Sequence, residues 1–189
     1  KNIIWWLWLQ GVDEAPEICK ACLASLRRWH PEKEIITLDK NNLSQYITLP
    51  DYITKKYEKG KIIPAHYSDM IRLQLFIVSD PGNPILMLNR DLLFEYWREH
   101  NYYTHYFIFN IFFEMAAEKF RSEYDKMPFL SYEPQYLLSS KIRADEDYSY
   151  EMLDELAELS DWHKLTYKKV TDNQMLPSKI IPNLIKLYE

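Results

Sequence analysis

Asp69 and Arg72 are the residues best suited to chemistry with a polar ligand, and both lie in the stretch PAHYSDMIRLQLF, Pro64 to Phe76. With His66 they are spaced i, i+3 and i+6, which puts all three in one row if the stretch is helical. A carboxylate accepts hydrogen bonds from hydroxyls, and a guanidinium donates to oxygen ligands in a fixed fork. Pro64 suits a first helical turn, and no Gly or further Pro follows before the stretch ends. Tyr67, Met70, Ile71 and Leu75 share one face, while Ala65, Leu73 and Phe76 fall on the side of the charged row. A solvated face is normally charged throughout, so the helix reads as buried nearly all round, with an Asp and an Arg sunk into it. Buried charges need partners or a function. Spacing alone favours a structural Asp69–Arg72 pair and leaves a ligand contact as the alternative.

Other groups carry less specific signals. In IIWWLWL, Ile3 to Leu9, Trp6 and Trp8 alternate onto one face. A Trp at the carboxyl end of a first strand can stack on a nucleobase, because open α/β sheets bind ligands there; it is equally a normal core member. Cys19 and Cys22 form a C-x-x-C with no second Cys pair to complete a zinc site. Ile18, Cys22, Leu26 and Trp29 fall on one helical stripe, so Cys22 reads as a small core residue. Asp145-Glu146-Asp147 spells a D-x-D that could hold a divalent cation, but its acidic, polar setting reads as a solvated loop. The three glycines are isolated, which excludes a Gly-rich phosphate loop.

These groups need elements to hold them. Ile3 to Leu9 predicts a strand covered on both faces, Asp13 the cap of a helix running to Trp29, and Glu34 to Leu38 a second strand. Strand, helix and strand in that order make the βαβ unit of an open α/β sheet. Leu43 to Ile47 predicts a helical turn, and Asp51 to Lys59 a short helix stopped by Gly60. Asp80-Pro81-Gly82 is a turn signature. Asn83 then caps a helix begun by Pro84, with Ile85, Leu88, Leu92 and Tyr96 on one side. The aromatic run Tyr102 to Phe120 predicts a buried helix, Tyr150 to Leu159 an acidic helix, and His163 to Lys168 a late strand before a last short helix. With no internal repeat and no long linker, the 189 residues predict one domain, 1–189.

Composition excludes some functions. A net charge of −5 without any large Lys/Arg cluster argues against a nucleic-acid partner. Hydrophobic residues at 47% exclude a disordered chain. No apolar run reaches the roughly 20 residues of a membrane span, no signal peptide is apparent, and cysteines are scarce. The expectation is a cytoplasmic protein, at most peripheral at the inner membrane face.

Taken in order, IIWWLWLQG, LDKNN, PAHYSDMIRLQLF, PGNPIL, MPF and HKLTYK resemble bacterial capsular polysaccharide synthesis proteins. That family belongs to the sugar transferases named for an Asp-x-Asp motif and is related to the glucosylating domains of large clostridial toxins. The resemblance implies an α/β fold: a Rossmann-like domain of the glycosyltransferase-A type with a mostly parallel sheet. It implies transfer of a hexose from a nucleotide sugar, a UDP-sugar first among them, with retention of configuration. The implied acceptor is a saccharide or a lipid-linked oligosaccharide, and the implied cofactor is Mn²⁺ or Mg²⁺. Carried over by position, Trp8 looks like the aromatic that stacks on the base. Ser68, Asp69 and Arg72, the S-D-x-x-R set, look like the contacts to ribose and donor sugar. His163 and Lys164 are weaker matches to diphosphate contacts.

The sequence also departs from the family. After the S-D-x-x-R helix the family continues through a Gly-Gly pair into a strand ending in Asp-x-Asp, whereas here Leu75-Phe76 runs directly into Ile77-Val78-Ser79-Asp80-Pro81-Gly82. The metal-binding motif is absent, so no metal ligand is assigned. The sheet is expected to lack one or more strands after this helix, leaving apolar faces uncovered. A diphosphate leaving group would also lose the cation that neutralises it. The alternative expectation is therefore a catalytically inactive deletion variant or remnant that keeps only part of a nucleotide-sugar pocket.

Overall fold

The apolar run, helix and second apolar run at the start of the chain do form a βαβ unit. The computed structural model describes residues 3–75, 82–128, 133–144 and 149–159, with Leu165, Pro182 and Lys186. The chain divides into two compact units, 1–40 with 129–189, and 41–128.

In the first unit β1 (Ile3–Leu7) and β2 (Glu34–Leu38) pair in parallel, Ile3 opposite Glu34 and Leu7 opposite Leu38. The pairing continues past both strands: the Trp8 N–H donates to the Leu38 carbonyl and the Lys40 N–H to the Leu9 carbonyl, each at 3.1 Å. β1 is half-buried rather than covered on both faces, and β2 runs from an exposed Glu34 to a buried Leu38. Among the described residues the sheet has two strands, so each is an edge. The observed architecture is mixed α/β and mostly helical, with this small parallel sheet.

The connecting helix α1 (Glu17–Trp29) starts later than Asp13 predicts. Pro16 stands at the cap, and its carbonyl accepts from the N–H groups of Cys19 and Lys20. A preset φ and a missing N–H suit proline to a helix edge, which moves the start. The buried face is also rotated from the predicted stripe: Ile18, Ala21 and Leu23 are buried and Cys22 is half-buried. Trp29 is 64% exposed, with the Arg28 guanidinium over its ring at 5.6 Å. Later in this unit come α2 (Glu133–Ala144), burying Leu138, and α3 (Tyr150–Ala157), capped by the Ser149 hydroxyl and burying Leu153.

The second unit is helical. A 3-10 turn at Leu43–Gln45 precedes α4 (Asp51–Glu58), which is followed by Gly60 at φ +68°, as its stop signal predicts. Next come α5 (Pro64–Leu75), α6 (Pro84–Glu99), α7 (Ile108–Lys119) and the short α8 (Arg121–Tyr124). The Asn83 side chain caps α6, its Oδ1 accepting from the N–H groups of Ile85 at 3.0 Å and Leu86 at 3.2 Å. The buried row of α6 is Ile85, Asn89, Leu93 and Trp97, a continuous i, i+4 row rather than the one through Leu88, Leu92 and Tyr96. Ala116 and Ala117 of α7 join Ile85 in a buried cluster flanked by Leu88, Phe113 and Phe120.

The helix expected from Tyr102 begins only at Ile108. Residues 101–107 are instead a loop whose backbone is tied by side chains. The Tyr96 hydroxyl donates to the Tyr102 carbonyl at 2.8 Å and accepts the Thr104 N–H at 3.1 Å, and His105 Nδ1 accepts the Phe107 N–H at 3.1 Å. Backbone groups satisfied in this way do not require a helix.

Lys56 of α4 closes the other end of α6. Its ammonium donates to the carbonyls of Trp97, Arg98 and His100 at 2.6, 3.1 and 2.9 Å, where the helix dipole favours a cation. Lys56→Met keeps the apolar stem and removes these bonds. It should lower stability by about 1.5–3 kcal/mol, read as a fall in the urea midpoint; an unchanged midpoint would show that water replaces the ammonium without loss.

Several sequence expectations lie outside the described residues: most of the Asp80-Pro81-Gly82 turn, Asp145-Glu146-Asp147, the strand from His163 to Lys168, and the final helix.

Candidate functional site

On α5 the buried face is Tyr67, Met70 and Ile71, with His66 1% exposed beside them. The face predicted from spacing is therefore the packed one. Tyr67 stacks flat on Tyr57 of α4, ring centroids 3.9 Å apart. The charged row is treated unequally. Asp69 is sunk, its side chain 16% exposed, whereas Arg72 is 51% exposed rather than buried. A long guanidinium stem lets its head reach solvent while its aliphatic part covers the helix.

Ser68, Asp69 and Arg72 are brought together on this surface. Arg72 Nη2 donates to Asp69 Oδ1 and, at 3.3 Å, to Ser68 Oγ; Arg72 Nε donates to the Ser68 carbonyl at 3.3 Å. The Ser68 hydroxyl in turn donates to the Ala65 carbonyl at 2.7 Å. The guanidinium is thus held from one side. Its Nη1 edge and the second carboxylate oxygen of Asp69 meet no partner among the described residues. Burial holds the Asp69 carboxyl above the usual carboxylate range, although Arg72 and His66 both pull it down. A donor edge and an acceptor oxygen side by side suit a ligand rich in hydroxyls or anionic oxygens.

His66 was legible as a member of the row, but not as its most buried polar residue. Its Nε2–H donates to the Tyr106 carbonyl at 2.9 Å, which leaves Nδ1 buried without a partner among the described residues. Tyr103 meets the imidazole edge-on at 4.8 Å between centroids, and Trp97 and Tyr106 complete the shell at 5.8 and 5.9 Å. These rings come from the 101–107 loop and the end of α6, about 30–40 residues away in sequence, so no local pattern announces them.

Trp8 belongs to the first unit and follows β1 at the carboxyl edge of the sheet. Gly11, at φ +97°, turns the chain there, with its N–H donating to the Trp8 carbonyl at 2.9 Å. A Cβ on Gly11 would come 3.8 Å from Asp39 Oδ2, so the edge brings Asp39 of the LDKNN segment close to this turn. His163 and Lys164 lie outside the described residues.

The cysteines do not form an activated site. Burial pushes the Cys22 thiol up to about 11, with the neighbouring Cys19 adding to the shift, and burial also raises Cys19. A reactive or metal-bound thiolate needs the opposite shift. Among the described residues no group of three or more His, Cys, Asp or Glu side chains could hold a metal ion. The Asp69 carboxylate is already engaged by a guanidinium, which a cation would have to displace. The described residues therefore do not fit the divalent ion that the resemblance implies.

Fold and site together define a class: an α/β protein with a parallel βαβ unit and a helix that presents a half-sunk Asp–Arg pair. Among the described residues no helix is long and apolar enough to cross a membrane. The chain belongs to the capsular polysaccharide synthesis protein family, whose model matches residues 1–77 and 73–181. The two matched stretches overlap at 73–77, which takes in the last residues of α5, Leu73 to Leu75, where the sequence leaves the expected pattern. No curated protein and no solved structure gives a significant match.

Proposed function

We propose that this chain is a glycosyltransferase-like protein of capsular or cell-surface polysaccharide biosynthesis that binds a nucleotide sugar, a UDP-hexose first among the donors. The observation that carries this reading is the Ser68–Asp69–Arg72 arrangement. Asp69 accepts from hydroxyls of ribose or donor sugar through its open oxygen. Arg72, pinned by Ser68, donates from its open edge. Family membership supports a saccharide-building role, and the βαβ unit is compatible with a Rossmann-like glycosyltransferase-A domain. In this reading Trp8, at the carboxyl edge of the sheet, stacks on the base.

Calorimetric titration with UDP and UDP-glucose, with and without Mn²⁺, tests this reading. Binding is expected, and Trp8→Ala should weaken it about fivefold or more, a stacked base being worth roughly 1–3 kcal/mol. Failure of the unaltered chain to bind any UDP-sugar would overturn the proposal.

A second reading has its own support. The family match in two stretches meeting at 73–77, and the direct run from Leu75 to Gly82 without Asp-x-Asp, favour a remnant that binds the donor but does not transfer it. Release of UDP from a bound donor, measured over hours, separates the two: the remnant gives none, and the enzyme turns over.

A further inference from the structure

We infer that the loop 101–107, beside the Asp69 helix, is a stacking platform for a neutral saccharide chain. Tyr102, Tyr103, Tyr106 and Phe107 are 63%, 41%, 55% and 57% exposed, a density of open aromatic surface that isolated exposed residues do not reach. The loop is not loose. Tyr96 holds the Tyr102 carbonyl and the Thr104 N–H, His105 holds the Phe107 N–H, and His66 of α5 holds the Tyr106 carbonyl. Rings on a backbone fixed at four points are preorganised, so a ligand need not order them.

The ligand chemistry follows from charge and ring type. Asn101 to Phe107 contains no Asp, Glu, Lys or Arg, so the loop lacks the basic cluster that a polyanion or an anionic lipid surface would need. Three of its four open aromatics are tyrosines, which combine an apolar face with a hydroxyl that donates and accepts. A pyranose has the matching character, with an apolar face of C–H groups and hydroxyls around its rim. The position also fits. His66 stands one helical turn before Asp69, and its imidazole touches the Tyr103 and Tyr106 rings. The platform therefore adjoins the pair assigned to the donor sugar, where an acceptor chain would have to lie. The choice of a saccharide rests on that functional reading.

The test uses the intact chain on a printed array of neutral and acidic oligosaccharides, followed by calorimetry on the best neutral hit. Binding to at least one neutral oligosaccharide is expected. The double variant Tyr103→Ala/Tyr106→Ala should weaken it at least tenfold, while UDP-glucose binding stays unchanged. The Tyr106 carbonyl that His66 holds survives this change. If the double variant unfolds, Tyr102→Ala/Phe107→Ala, at the two most exposed rings, should give the same loss. The inference fails if no oligosaccharide binds, if the folded variants bind like the parent, or if the parent sediments with phosphatidylcholine vesicles through these rings instead. Loss of UDP-glucose binding with oligosaccharide binding intact would sink the donor reading and leave the platform standing.

Discussion

Asp69→Asn is expected to weaken UDP-sugar binding roughly tenfold to a hundredfold while leaving the protein at least as stable at pH 7. Hydrogen bonds to charged groups are worth about 1.5–3 kcal/mol, and each 1.4 kcal/mol is about a factor of ten in affinity. The stability half of the expectation follows from burial. The folded protein holds the Asp69 proton more tightly than the unfolded chain, because desolvation raises this carboxyl. The stability contribution of a group with a raised folded value is fully present below its unfolded value, about 3.9 for Asp. It is lost as pH rises through the folded value. At pH 7 the ionised Asp69 is therefore a burden, and the neutral amide, which still accepts from Arg72, removes it. Arg72→Ala should weaken binding to a similar degree but lose stability above the Asp69 titration, because it strands a mostly buried carboxylate. Titration calorimetry with UDP-glucose, together with urea midpoints at pH 4 and pH 7, reads both halves. If Asp69→Asn lowers the urea midpoint at pH 7 and leaves ligand affinity unaltered, the pair is structural and the site assignment is wrong.

Trp97→Ala is expected to give the largest loss of stability, about 3–5 kcal/mol. Its side chain is fully buried, and it packs edge-on against Tyr96 at 5.4 Å and beside His66 at 5.8 Å. Natural domains hold only about 5–15 kcal/mol in total, so the urea midpoint should fall by a large fraction of its value. Trp97→Phe is a sharper probe. The indole N–H is buried with no partner among the described residues, so the smaller ring loses volume but also removes an unsatisfied donor. It should lose much less than the alanine variant. The Trp97 carbonyl, which accepts from Lys56, is unaffected by either change. Because Trp97 forms part of the shell around His66, the alanine variant should also speed amide exchange in the 101–107 loop. A fall below about 1 kcal/mol for Trp97→Ala would mean that this ring is not the centre of the helical unit.

The chain by itself determined what depends on local chemistry. Asn83 followed by Pro84 starts a helix because a side-chain oxygen meets the first free N–H groups. Gly60 ends one because it takes φ +68° without strain. Two β-branched and aromatic runs about 30 residues apart, with a helix between them, pair in parallel. The i, i+3 spacing of Asp69 and Arg72 suffices to bring carboxylate and guanidinium together on a helix. The family was legible too, in the order of its short motifs along the chain.

What only the tertiary structure decided depends on which neighbour covers which face. Trp29 looks like core by periodicity, yet it lies open with Arg28 over its ring, because Ala21 and Leu23 fall on the covered side of their helix. The aromatic run from Tyr102 looks helical, yet side chains from α5 and α6 satisfy its backbone and hold it as a loop. Arg72 escapes to solvent while Asp69, three residues earlier, does not. Periodicity states which residues share a side but not whether that side is packed. Burial, and with it the raised Asp69 carboxyl and the buried His66, is set by contacts between residues far apart in the chain.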